Sequence, residues 1–427
     1  VASAQRIRAS DGWLPLDNAA RVFAALASRR TTTVFRVAAT LRAPVDAERL
    51  QAALDALMPR FPYFRVCLRK GLFWHYLAEI PGSPRVQRER HAPCRRMSPA
   101  EDGPWQFRVL IFDRRVSLEC SHVLTDGAGA IAFLGALLGE YLSREGVAIP
   151  EDAPLMRAGE TPHPEEGEDA YRRFYRPEIP RLPPAARALR IRGGTMAPDE
   201  CRVTTGIAPV APLREMSRHH GVTLTELLAS ILLASIAEMA PRARRPIVVM
   251  TPVNLRGLFP SRTMRNFFLS VSASIDPRLG RSTFEEILHE VHHSVQGQIT
   301  ARSISRQIRR HVGAEQNWWI RHIPLVVKRP IKRWLYTRRW GARYTTALSN
   351  LGRAALPAAL EAHIERFEVI PNPSAVHGVS CAIIGYGDDL FISFTSLLAS
   401  ARVERAFFTR LRRMGVGVRI ETNRTGS

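Results

Sequence analysis

The chain has 427 residues, more than one hydrophobic core ordinarily serves, so two domains are expected. Hydrophobic residues make up 45% and charged residues 23%, a globular composition, and the most apolar run, Leu224 to Ala240, carries Glu226 and Glu238, so it is not read as a transmembrane helix. The formal net charge of +22 points to anionic partners: phosphates, carboxylates, an anionic membrane, an acidic carrier protein or nucleic acid. A general arginine bias of the coding sequence is the bland alternative.

The opening stretch VASAQRIRASDGWLPL lacks the apolar core of a secretory signal. Cys67, Cys94, Cys120, Cys201 and Cys381 are odd in number and scattered without a C-x-x-C pair, which suggests neither a disulfide framework nor a zinc site. A cytoplasmic location is expected, with peripheral membrane contact as a further expectation.

Thr31 to Leu41 reads as a strand, and Asp46 to Phe61 as an amphipathic helix with Leu50, Leu54 and Leu57 at helical spacing, stopped by Pro62. Two strand pairs follow, turning near Lys70-Gly71 and Asp113-Arg114. From about Pro150 to Glu200 prolines and acidic residues take over, which reads as a linker with little core of its own. The second half restarts the alternation. A short helix ends near Gly221, Thr223 or Thr225 caps the long helix Leu224 to Met239, and strands follow at 246–253 and 269–275. A helix over 284–299, three strands near 367–372, 378–388 and 389–398, and a last helix over 402–414 complete the reading. The expected fold class is therefore α/β, two related lobes of mixed sheet and helix over 1–150 and 201–427, joined by a linker over 151–200.

Within CSHVLTDGAGAIAFL, Val116, Leu118, Cys120 and His122 alternate onto one strand face, so His122 points inward if the other three do. A helix starts at once: Thr125 or Asp126 can cap it, and Gly127 and Gly129 leave space at its first turn. An inward imidazole above such a turn suits removal of a proton from a bound hydroxyl or amine near neutral pH. No G-x-S-x-G is present and no thiol lies beside this histidine in sequence, which favours direct attack by an acceptor over a covalent acyl-enzyme. The competing reading is a buried packing histidine with an N-cap aspartate. Asp126 could also turn back to pair with an arginine, and Arg256 is the preferred partner.

His122-Val123-Leu124-Thr125-Asp126-Gly127 matches H-x-x-x-D-G. With it the sequence resembles the chloramphenicol-acetyltransferase-like superfamily, which holds alcohol O-acetyltransferases, polyketide-associated acyltransferases and peptide-synthetase condensation domains. The resemblance extends over nearly the whole chain, through the segment from Val34 to Leu77, through HHGVTLTELLASILLASI, TPVNLRGLFPSRTMRNFF and ALSNLGRAALP. It implies two lobes with a tunnel between them, His122 as general base, and Asp126, Gly127 and Arg256 as structural support. It also implies that Ser349 and Asn350 belong to the tunnel wall, while Asn254 and Asn266 either bind substrate or satisfy buried backbone. Ser121 stands where condensation domains carry a second histidine, and the plant-type D-F-G-W-G is missing, which favours the free-standing alcohol-acyltransferase-like group.

The function so implied is transfer of an acyl group from acyl-coenzyme A to a small or lipophilic alcohol. No metal and no cofactor is expected, coenzyme A being a co-substrate. Alternatives are a carrier-protein donor with condensation-type or N-acyl transfer, and a catalytically silent membrane-surface protein. His289-Glu290-Val291-His292-His293 formally matches the zinc motif H-E-x-x-H, with Glu315 downstream, but His289 and His293 fall opposite the apolar stripe of Phe284, Leu288, Val291 and Val295. Residues 302–343 hold twelve Lys or Arg against Glu315 alone, with Trp318, Trp319, Trp334, Tyr336, Trp340 and Tyr344 interleaved. That mixture suits an anionic membrane surface, less well single-stranded nucleic acid, or simply a solvated basic face.

Overall fold

Phe35, Val37, Ala39 and Leu41 alternate along the strand Val34–Leu41, and the register sets Phe35 opposite Cys120, Val37 opposite Leu118 and Ala39 opposite Val116. All of these are buried, so the expected inward face of the strand Arg115–Ser121 is the apolar face of the sheet. The computed structural model describes residues 12–28, 30–177, 187–315, 322–335 and 341–424. Helices Ala47–Leu57 and Gly127–Arg144 cover that apolar face, each started by an aspartate, Asp46 and Asp126, whose side chain accepts a backbone N–H of the first turn.

The sheet has five strands in the order Ile364–Ile370, Val34–Leu41, Arg115–Ser121, Phe107–Phe112 and Gln87–Arg88. Its first strand comes from the second half of the chain: Ile364, Phe367 and Val369 pair antiparallel with Val34–Leu41 and enter the same core as Phe35. The opposite face carries a buried charge cluster in which Arg36 and Arg108 both bind Glu119, and Arg108 also binds Asp102. Burial opposes ionisation of Glu119, but the two guanidiniums outweigh it and hold its carboxyl below the usual range.

A second sheet has seven strands in the order Phe268–Ile275, Ile247–Asn254, Thr346–Arg353, Val379–Tyr386, Asp389–Ser396, Arg202–Pro209 and Arg419–Thr422. Against it pack Leu224–Met239, Phe284–Gln298 and Arg402–Arg413 around a second apolar core. Thr223, rather than Thr225, starts the long helix, in a capping box with Glu226. Gly221 has φ +65 just after the helix Val210–His219, the left-handed turn expected of it. A three-stranded antiparallel sheet of Trp13–Pro15, His75–Glu79 and Val66–Lys70 completes the strands that lie in sheets among the described residues.

The stretch expected to be a linker with little core is tied into the body. Glu166 takes a bidentate bond from Arg60 and a third from Tyr63, and the Tyr171 hydroxyl donates to Phe268 O and accepts from Phe268 N. Ala170 and Tyr171 join Leu255, Phe267, Ile304 and Ile308 in a core of their own. The sequence pattern hides this because the segment holds only single short turns, too brief to show a period. No single described helix is long and apolar enough to cross a membrane.

Candidate active site

His122 directly follows the strand Arg115–Ser121, and its backbone N–H extends the ladder to Thr33 O at 2.7 Å. Its ring lies between Phe35 (centroids 4.3 Å) and Phe23 (4.5 Å), nearly parallel to the latter at 15°. Phe23 belongs to the helix Asn18–Leu26, which sequence reasoning missed although Asp17 and the apolar spacing of Phe23 and Leu26 were legible. The His122 residue is half-buried, yet Nδ1 is fully enclosed and meets no partner with hydrogen-bond geometry. Burial pushes the imidazole down to about 4, against the smaller opposing effects of the Asp126 carboxylate and of contacts with Thr125 and Asn266. At neutral pH it is therefore uncharged and able to accept a proton.

Asp126 and Arg256 are brought together as the sequence suggested. Arg256 Nη1 donates to Asp126 Oδ2 at 2.9 Å and Nη2 to Oδ1 at 3.2 Å, while Asp126 also accepts from the N–H groups of Gly129 and Phe267. A fork matched to a carboxylate in this way fixes orientation as well as charge. The rest of the guanidinium holds the Thr263 and Arg265 carbonyls at 2.9 and 2.7 Å, so the pair fastens the loop before Phe268–Ile275 beneath the start of the helix Gly127–Arg144.

Both asparagines raised as substrate contacts are engaged by protein. Asn254 Oδ1 accepts from the Arg256 N–H and Nη1, each at 3.1 Å, and so braces the arginine. Asn266 is buried, and its Nδ2 donates to His122 O at 2.9 Å and to Asp17 Oδ2 at 3.0 Å. Asp17 is itself enclosed, starts the helix bearing Phe23 through the Ala20 N–H, and faces Arg265 at 3.7 Å. Burial raises its carboxyl to about 6, with Arg265 as the main opposing influence. Phe23 and Phe35 thus flank His122, and Asp17, with Arg265 beside it, reaches its backbone through Asn266; none of the four was singled out, because their proximity joins residues far apart in the chain.

The motif glycines have steric reasons. A Cβ at Gly129 would overlap the Met264 carbonyl oxygen and Thr125 Oγ1, and one at Gly127 would overlap the tip of Leu351. Leu351 belongs to the Ser349 to Gly352 stretch, which forms the end of the strand Thr346–Arg353. The ladder to Val379–Tyr386 shifts register between Asn350 and Arg353, where Gly352 has φ +74. Ser349 is half-buried opposite Ala382 in that ladder, and Asn350 donates to Thr225 Oγ1 at 2.8 Å.

His289 and His293 stand exposed, their Nε2 atoms 3.0 Å apart, opposite the buried Ile287, Leu288, Val291 and Val295. Among the described residues no three His, Cys, Asp or Glu side chains gather to hold a metal ion. Of the basic aromatic stretch, Trp318, Trp319, Arg321, Tyr336, Arg338, Arg339 and Trp340 lie outside the described residues.

Neither a protein-family model nor a curated protein matches the sequence. Solved structures do match it along nearly the full length, and they show the fold: the chain folds like a trichothecene acetyltransferase and like condensation and epimerization domains of peptide synthetases. Polyketide synthase associated protein 5 from Mycobacterium tuberculosis is 17% identical with a TM-score of 0.60, over 93% of this chain and 96% of that one. The trichothecene 15-O-acetyltransferase TRI3 from Fusarium sporotrichioides is 10% identical with a TM-score of 0.60, over 93% of each chain. The first condensation domain of the CDA synthetase is 14% identical with a TM-score of 0.58, over 95% of each.

Proposed function

We propose that this protein is an acyltransferase that moves an acyl group from a thioester, acyl-coenzyme A, to the hydroxyl of an alcohol, with His122 as general base. The observation that carries this reading is the clamp on His122, an uncharged imidazole with aromatic rings on two sides and its backbone carbonyl held by Asn266 from the other half of the chain. Nδ1 is enclosed, which leaves Nε2 for the substrate. In this reading Nε2 takes the hydroxyl proton as the oxygen attacks the thioester carbonyl. The C–O bond forms, the C–S bond breaks, and the proton passes from the imidazolium to the leaving sulfur. A substrate channel between the lobes, with the Ser349 to Gly352 strand end in its wall, belongs to the same proposal.

A carrier-protein thioester is the second reading. It is favoured by the similar structures, which include a polyketide synthase associated protein and a nonribosomal peptide synthetase. Acyl groups reach both donors through the same thioester chemistry, so the residue roles are unchanged.

The test is thiol release from acetyl- and longer acyl-coenzyme A, or from an acyl carrier protein, with a panel of alcohols and amines. His122→Ala is expected to lower acceptor-dependent release by about 10²–10⁴-fold, and because it also removes a ring packed between Phe23 and Phe35 its thermal midpoint is measured alongside to show that the variant is folded. Release that persists in the folded variant would remove His122 as the base, and none from either donor in the wild type would favour a catalytically silent protein.

A further inference from the structure

The helix Leu325–Leu335 is turned the wrong way round for a protein surface in water. Val326, Val327, Pro330, Ile331 and Trp334 lie on one face by helical spacing, and every one of them is exposed. Val326 is 84%, Val327 51%, Ile331 47% and Trp334 56% exposed. The opposite face, where a core-facing stripe would normally sit, carries Lys328 and Lys332, and Lys328 is only 3% exposed. An ordinary amphipathic helix does the reverse.

The tip of the hairpin between Val66–Lys70 and His75–Glu79 holds this helix in place. Leu325 N–H donates to Leu72 O at 2.8 Å, the Lys328 ammonium donates to Phe73 O at 3.0 Å, and it stands 3.6 Å from the Trp74 ring centre. Lys332 and Arg21 also lie over Trp74, at 5.1 and 5.0 Å. The apolar stripe is thus presented on a braced platform, beside Leu72, which is 70% exposed. Ten large apolar side chains are exposed among the described residues, and five of them belong to these two touching elements, so the exposure is a patch rather than scatter.

The charge around the patch selects its occupant. By helical spacing Arg329 and Arg333 flank the stripe while Lys332 stands behind it over Trp74, Lys70 ends the strand that leads to the hairpin tip, and neither Leu325–Leu335 nor the hairpin tip 70–75 contains an Asp or Glu. Burial lowers the basicity of His75 most, and Arg329, Lys70 and Lys332 lower it further, as a locally positive field does. A second copy of this chain would bring the same cations face to face, on a molecule of net charge +22. A plane that is apolar below and anionic at its surface satisfies both features at once.

We propose that Leu72 and the outward face of Leu325–Leu335 dock this protein on an anionic phospholipid bilayer, the apolar stripe entering the headgroup boundary and the flanking cations meeting lipid phosphates. Eleven residues of helix are too short to span a bilayer, so the contact is interfacial. The same helix packs against Asn18–Leu26, whose Phe23 covers His122, so the docked face lies one helix away from the candidate base. Docking needs no acyl transfer, and transfer between soluble substrates needs none of the patch residues, so either proposal can fail alone.

The experiment is flotation of the full chain with vesicles of phosphatidylcholine alone or mixed equally with phosphatidylglycerol, at low and high salt. Binding is expected only to the mixed vesicles, weakening with salt. Val326→Ser with Ile331→Ser should weaken it at least about tenfold, and Leu72→Ser on the separate hairpin tip should weaken it less. Leu279→Ser, which removes an exposed leucine elsewhere (89% exposed), should leave it unchanged. No binding to either vesicle, equal binding to both, or insensitivity to the Val326 and Ile331 changes would overturn the proposal. So would a dimer in solution that the same double variant dissolves, since the patch would then be a contact between copies.

Discussion

Asn266 is the side chain through which the second half of the chain reaches the backbone of the candidate base. Its amide is shared between the His122 carbonyl and the Asp17 carboxylate, and Asn266 and Asp17 are both buried, with no solvent to replace a lost partner. Asn266→Ala is expected to cost about 1–3 kcal/mol of stability, because a buried acceptor is left unpaired. It should also lower the rate constant of acyl transfer about tenfold or more with little change in KM, since orientation of His122 is altered and substrate contact is not. Urea unfolding and steady-state kinetics separate the two effects. A variant that is destabilised yet keeps its full kcat would reduce Asn266 to a structural role. Arg256→Lys asks a related question of the fork on Asp126, for a lysine supplies a charge but cannot span both carboxylate oxygens while holding the Thr263 and Arg265 carbonyls.

The first turn of the helix Gly127–Arg144 packs against residues from the second half of the chain, and its two glycines differ in what they meet. At Gly129 the obstacle is main chain, the Met264 carbonyl, which also accepts from Thr125 Oγ1 at 2.6 Å and has little room to move. Gly129→Ala should therefore destabilise by about 2 kcal/mol or more through overpacking. At Gly127 the obstacle is the end of the Leu351 side chain, which can rotate, so Gly127→Ala should cost about 1 kcal/mol or less. Thermal or urea unfolding of the two variants side by side checks the ranking, and the reverse order would mean that Leu351 is the more rigid neighbour.

At the scale of the whole molecule, burial sets the response to acid. His75, His122, His311 and His377 are all pushed down to about 4, burial being the leading cause in each. Between about 4 and the ordinary 6.5 the unfolded chain binds these protons and the folded chain does not, so stability is present above 6.5 and is lost as pH falls through that window. Asp17, raised to about 6, works in the opposite sense, because the folded state keeps its proton as pH rises from 3.8. Four imidazoles, together with the growing self-repulsion of a cationic chain, outweigh it. The urea midpoint should accordingly be lower at pH 5 than at pH 7. An equal or higher midpoint at pH 5 would show that these imidazoles are not desolvated in the folded state.

Period and capping were enough to place most strands and helices, because alternation and helical spacing are local signals of which face is buried. The strand before His122, the turn at Gly221 and the exposed faces of His289 and His293 could all be read in this way. The Asp126 and Arg256 pair was also legible, since a motif and a second charged segment at a recognisable place named both partners. Tertiary structure alone decided the rest. It carried Ile364–Ile370 back onto the first sheet, drew the 163–174 segment into a core, and set Asp17, Phe23 and Asn266 around the imidazole. It also turned the apolar stripe of Leu325–Leu335 outward. A periodic pattern says that a helix has two faces. Which face meets water depends on what the remainder of the chain places beside it, and here Trp74 and the Phe73 carbonyl took the lysine side.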